Sequence, residues 1–248
     1  IALDLRAAAG QGPARPPRNG AGVPFAALRP GRRVRWGLGP EALLAINPGL
    51  VMLRISGYGQ TGPYRDLPGF GAIGEAMGGL RHLTGEPGRV PVRVGVSIGD
   101  TLAALHGTIG VLTALYHRKV NGGQGQVIDV ALHEAVFNVM ESLIPEYSAF
   151  GAVRGPAGSA LPGIAPSNAY RCRDGVVLVA GNGDSIFKRL MTAIGRDDLG
   201  QAPDLANNAG RVARVEEIDG AIEAWTLQRS VDEALATLGA ARVPAGKV

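Results

Sequence analysis

Apolar residues recur at three- and four-residue steps between Thr101 and Arg118, where Leu102, Leu105, Ile109, Leu112 and Leu115 predict an amphipathic helix. Upstream, Val51 to Ile55 reads as a buried strand, followed by a Gly- and Pro-punctuated loop from Ser56 to Leu67. A helix with Pro near its first turn is expected over Gly39 to Leu44, and a small-residue helix over Gly69 to Leu80. Asn121-Gly122 marks a turn, Gln126 to Val130 a strand, and Leu132 to about Phe150 a further helix. Strands alternating with helices imply a parallel α/β layer.

After a loop-like stretch from Gly151 to Asn168 the pattern changes. Ala169 to Cys172 and Val176 to Val179 flank Asp174-Gly175 as a hairpin. Helices are expected at Ser185 to Ile194, Val215 to Leu227 and Val231 to Leu238. Two domains follow: a large one over residues 1–155 and a smaller α+β domain over residues 156–248. At the other end, residues 1–8 read as a strand remnant and residues 10–24, rich in Gly, Pro and Arg, as loop.

Composition narrows the class. With 46% hydrophobic and 19% charged residues among 248, the chain is globular rather than disordered. His106, Arg118 and Lys119 interrupt the most apolar stretch, so no membrane span is expected. The single Cys172 rules out an internal disulfide and points to a reducing, cytoplasmic setting. No His and Cys cluster has metal-ligand spacing, so no metal is expected. The net charge of +4 raises the possibility of a nucleic-acid partner. Arg6, Arg15, Arg18, Arg29, Arg32, Arg33 and Arg35, however, are interleaved with Pro, Gly and Ala rather than with stacking aromatics. A surface facing a phosphorylated small molecule accounts for them, and no nucleic acid is expected. A start at Ile1 reads as a fragment or trimmed product.

One acidic residue stands at an informative junction. Asp100 follows the short stretch Arg93-Val94-Gly95-Val96-Ser97-Ile98-Gly99 and precedes the long helix. A carboxylate there lies at the positive end of a helix, beside N–H groups without intrahelical partners. Position alone favours a capping role.

The surrounding motifs add to that reading. Asn47-Pro48-Gly49-Leu50-Val51, then Ile55-Ser56-Gly57-Tyr58-Gly59-Gln60-Thr61-Gly62-Pro63-Tyr64, resemble the signature of family III CoA-transferases of the CaiB/BaiF type. The likeness runs on through Leu83-Thr84-Gly85-Glu86-Pro87, Pro91-Val92-Arg93-Val94-Gly95, Asp100, His117-Arg118-Lys119 and Gly123 to Val130. It returns at Gly181-Asn182-Gly183-Asp184, Asn208 to Val212 and Val243 to Gly246. The stretch from about residue 11 to 27 departs from the pattern, as a reading-frame artefact would.

The resemblance implies an incomplete Rossmann-like large domain, lacking the family's first strands, and a small α+β domain without the returning C-terminal segment. It implies Asp100 as a nucleophile that carries CoA from an acyl-CoA to a small carboxylic acid through an aspartyl anhydride and an aspartyl-CoA thioester. Arg35 would lie near the CoA phosphates, Gly57, Gly59 and Gln60 would form a substrate-binding loop, and Phe70 would border the substrate. Coenzyme A is then a substrate and no separate cofactor is expected; the full-length form would be an interlocked homodimer. Two alternatives stay open. Related racemases carry His where Phe70 stands, and Phe70 has no titratable proton, which disfavours an acyl-CoA racemase. A catalytically silent fragment is the other.

Overall fold

The structure, a computed structural model, describes residues 23–26 and 34–248. The strand expected at 1–8, most of the loop expected at 10–24, and Arg6, Arg15, Arg18, Arg29, Arg32 and Arg33 lie outside the described residues. The chain divides into two compact units, Ile1–Pro156 and Ala157–Val248.

In the first unit, β1 (Phe25–Ala26) is followed by a 3₁₀ turn at Val34–Trp36 and by α1 (Pro40–Ile46), whose first residue is a proline. Next come β2 (Met52–Ser56), α2 (Gly71–Met77), α3 (Leu80–Leu83) and α4 (Ile98–Val120). Then follow β3 (Val127–Ala131), α5 (Leu132–Phe137) and α6 (Leu143–Phe150). The three strands form a parallel sheet in the order β1-β2-β3, with Leu53 opposite Ile128 and Ile55 opposite Val130. Parallel neighbours need a crossover, and α2 to α4 supply it between β2 and β3.

The face of α4 that meets the sheet corrects the sequence reading. Leu105, Ile109 and Leu112, expected in the core, are 56%, 63% and 62% exposed. The buried positions are Gly99, Ala103, Gly107 and Ala114. Small residues let the helix lie against the strands: a β-carbon at Gly107 would stand 2.8 Å from Leu53 Cδ2, and one at Gly110 2.8 Å from Ile128 Cγ2. Glycine in a helix costs about 1 kcal/mol relative to alanine, offset here by close packing of Leu53, Val130, Leu132 and Ala135 beneath it. Two expected helices are also broken. Gly79, at φ 97°, separates α2 from α3, and Glu141, at φ 53°, lies in the break between α5 and α6. By length and composition α4 is apolar enough to cross a membrane, with a mean hydropathy of 1.3, contrary to the expectation from His106, Arg118 and Lys119. The two cations stand in its last turn, where they complement the helix dipole.

The second unit follows the expected order. β4 (Ser167–Arg171) and β5 (Val176–Ala180) pair as an antiparallel hairpin. After them come α7 (Asp184–Ala193), α8 (Asp197–Gly200), a 3₁₀ turn at Pro203–Leu205, α9 (Asn208–Ala213), α10 (Val215–Thr226) and α11 (Val231–Ala240). β6 (Ala245–Lys247) adds antiparallel to β5. Ser230 and Glu233 close a capping box at the start of α11. Arg211 is 1% exposed and binds this unit together. Its guanidinium donates to the carbonyls of Ala165, Leu205 and Asn182 and to Asp184 Oδ1, and stacks 5.1 Å over Phe187.

Candidate active site

The start of α4 positions Asp100. Ser97 occupies the cap position, so Asp100 is the third helical residue and not the cap that its place in the sequence suggested. In the first turn its carboxylate still faces the positive end of a long helix dipole. The side chain is exposed and leans across to α2.

Three segments of backbone meet there because their side chains are hydrogens. A β-carbon at Gly71 would lie 2.5 Å from Asp100 Oδ2 and 3.0 Å from Oδ1. One at Gly99 would lie 2.9 Å from the Gly71 carbonyl oxygen and 3.4 Å from Glu75 Cγ. On the loop after β2, Gly57 abuts Gly69 just as closely. A larger side chain at Gly99 would push apart the starts of α2 and α4, and one at Gly71 would displace the carboxylate.

The same glycine-rich side of α2 also packs on α5. Gly74 meets Leu132 and the His133 amide, and Gly78 meets Val136. The His133 ring is thereby brought to the loop after β2, where Nδ1 donates to the Gly57 carbonyl at 3.2 Å and the ring tilts against Tyr58. His82 and His106 are engaged elsewhere, with the Arg154 carbonyl and with Leu102 and Asn138.

The same loop is tied to β3. The Gln60 amide N–H donates to Asp129 Oδ2 at 2.8 Å, and Gly59, at φ 82°, approaches the same oxygen. Gln60 Nε2 donates to Ser56 Oγ, while Oε1 is buried without a partner among the described residues. Across the ladder from Asp129, burial lowers the proton affinity of the Arg54 guanidinium and Asp129 counteracts that shift.

Of the expected site residues, Gly57 abuts Gly69, two residues before the glycine that Asp100 contacts, and Gly59 and Gln60 form the loop anchored on β3. Phe70 immediately precedes α2 and is 79% exposed. Arg35 is exposed in the 3₁₀ turn before α1, and no hydrogen bond or ion pair links it to Asp100. The sequence reading missed Gly71, Glu75, Arg81 and His133. The spacing of Gly71, Gly74 and Gly78 was the available signal for a helix with one closely packed small-residue face.

Arg81 Nε donates to Glu75 Oε2 at 3.2 Å. Glu75 is wholly buried, and its Oε1 has no partner among the described residues.

The family model described as CoA-transferase family III matches residues 1–248. Succinyl-CoA–D-citramalate CoA-transferase of Chloroflexus aurantiacus is 46% identical over 249 residues, which take in 100% of this chain and 62% of that protein. The beta subunit of succinyl-CoA–L-malate CoA-transferase from the same organism is 40% identical over 221 residues, 88% of this chain and 54% of that one. A crystal structure of a CAIB/BAIF family protein from Brucella suis superimposes with a TM-score of 0.83 at 34% identity, covering 100% of this chain and 65% of its own. The chain thus spans between half and two thirds of the length of these relatives.

Proposed function

Because this chain belongs to CoA-transferase family III, we propose that it carries the nucleophile of an enzyme that moves CoA between two carboxylic acids, with Asp100 as that nucleophile. The observation that carries the reading is the exposed Asp100 carboxylate, held at the first turn of α4 in close contact with the glycine backbone of α2. The carboxylate attacks the thioester carbonyl, the C–S bond breaks, and CoA thiolate leaves an aspartyl mixed anhydride. The thiolate then attacks the aspartyl carbonyl and expels the donor acid, giving an aspartyl-CoA thioester. The acceptor carboxylate repeats the two steps in reverse and regenerates Asp100. N–H groups at the start of α4 favour the charge that develops on oxygen, and exclusion of water protects the anhydride.

Succinate, citramalate and malate are dicarboxylic acids, and the relatives named for them support a dicarboxylate pair as substrates. Phe70 offers no proton for exchange at the α-carbon, which supports transfer over racemisation. The full-length form is proposed to act as a homodimer, with Arg35 and the loop from Gly57 to Gln60 binding CoA. The test is a mass-spectrometric screen of full-length protein against succinyl-CoA and a panel of acids. New acyl-CoA products that disappear in Asp100→Ala support the proposal; products that persist in that variant refute the assignment of Asp100.

A further inference from the structure

The pair Glu75 and Arg81 has no part in the exchange steps, yet it is built at some cost. Glu75 has no exposed side-chain surface, and a buried carboxylate with one oxygen unbonded is destabilising unless its partner is well placed. Its partner meets it side-on: Arg81 uses Nε at 3.2 Å, and neither Nη nitrogen has a partner among the described residues. The Arg81 side chain is 27% exposed, so the pair is not sealed from solvent. The fork of two Nη nitrogens is the edge of a guanidinium that binds a carboxylate through two parallel hydrogen bonds. Arg93, also near the start of α4, makes only one exposed 3.4 Å contact with Ser97 Oγ and has no such buried support.

The pair is also in line with the nucleophile. Glu75 follows Gly71 by one turn on the same face of α2. Gly99 sits against both, and Asp100 rests on Gly71. The buried carboxylate that orients Arg81 therefore stands one helical turn from the glycine that Asp100 contacts.

We propose that Arg81, oriented by Glu75, receives the remote carboxylate of a dicarboxylic acyl group and so selects which acids reach Asp100. Arg81 is the specificity residue and Glu75 a positioning residue. The inference rests on the CoA-transfer reading above and deepens it.

The test compares kcat/KM for succinyl-CoA and butyryl-CoA, at one saturating acceptor, in the full-length protein and its Arg81→Met, Arg81→Lys and Glu75→Gln variants. Arg81→Met is expected to lower the succinyl-to-butyryl ratio by roughly 10- to 100-fold, as expected for loss of hydrogen bonds to a charged group, chiefly through KM for succinyl-CoA. Arg81→Lys, which keeps charge but not the fork, falls between, and Glu75→Gln shifts the ratio in the same direction by less. Thermal melting establishes that each variant is folded, and the lysine variant carries the test if the methionine variant is not. A ratio unchanged by the folded variants overturns the inference, even if both activities fall together. A wild-type protein that uses both donors equally overturns it too, leaving CoA transfer intact. A wild-type protein that transfers CoA from neither donor refutes the functional reading itself.

Discussion

The carboxylate of Asp100 rests on the α-carbon of Gly71, so close that a methyl group at position 71 would stand 2.5 Å from Oδ2. The side chain most exposed to chemistry is therefore located by a residue with no side chain. Gly71 does not have a positive φ, so alanine fits its backbone and only the space is lacking.

Gly71→Ala should separate activity from stability. Alanine favours the helix by about 1 kcal/mol over glycine, so the melting temperature should change little. A displaced carboxylate loses its attack geometry, and a misplacement of about 1 Å can cost roughly 100-fold in rate. Steady-state kinetics with a thermal melt on the same preparation checks both; an active Gly71→Ala enzyme would mean that the carboxylate moves without penalty.

Arg211→Met should destabilise the second unit. The substitution leaves the carbonyls of Ala165, Leu205 and Asn182 without their donor inside a packed region. Breaking a buried charged network in this way costs about 3–5 kcal/mol. Chemical denaturation measures it, and a loss below 1 kcal/mol would show that the network relaxes or that water replaces it.

Alkaline pH should weaken the same unit through Tyr170. Burial pushes the phenol well above its usual range, aided by its hydrogen bond to Asp219 at 2.7 Å. The folded state thus keeps a proton that the unfolded state gives up near pH 10.0. Stability from this group is whole below that pH and declines as pH rises beyond it, because the unfolded chain then binds fewer protons. Tyr170→Phe should lose about 1 kcal/mol at neutral pH and show a shallower decline above pH 10.0. An identical alkaline slope in the variant would assign the decline to other groups.

How far the fold could be read from the sequence depended on what signalled each element. The hairpin of β4 and β5 and the helices α7, α10 and α11 were legible because alternation, Asp174-Gly175 and helical spacing agree with their burial. Helix α4 was legible as a helix but not in its orientation. Its leucines carry the period, yet the sheet demands the smallest residues, so Gly107 and Ala103 face inward and Leu105 and Leu112 outward. Asp100 and the loop from Gly57 to Gln60 were found through motif resemblance, whereas Glu75 and Arg81, six apart across the break at Gly79, have no local pattern.

The outward stripe of Leu105, Ile109, Leu112 and Tyr116 carries its own prediction. A contiguous apolar patch in water favours association. Expressed as these 248 residues alone, the chain should self-associate, and Leu105→Gln with Leu112→Gln should reduce it without lowering the melting temperature, since neither side chain is buried. Light scattering and a melt decide it; unchanged scattering would place the association elsewhere.

The most direct measurement traps the covalent intermediate. Full-length protein is incubated with succinyl-CoA, treated with hydroxylamine, digested with trypsin and analysed by tandem mass spectrometry. An activated aspartyl carbonyl becomes a hydroxamate, which should appear at Asp100, within the peptide from Val94 to Arg118, only when the thioester is present. A hydroxamate at a different carboxylate, or turnover without any at Asp100, would contradict the assignment of Asp100 as the nucleophile.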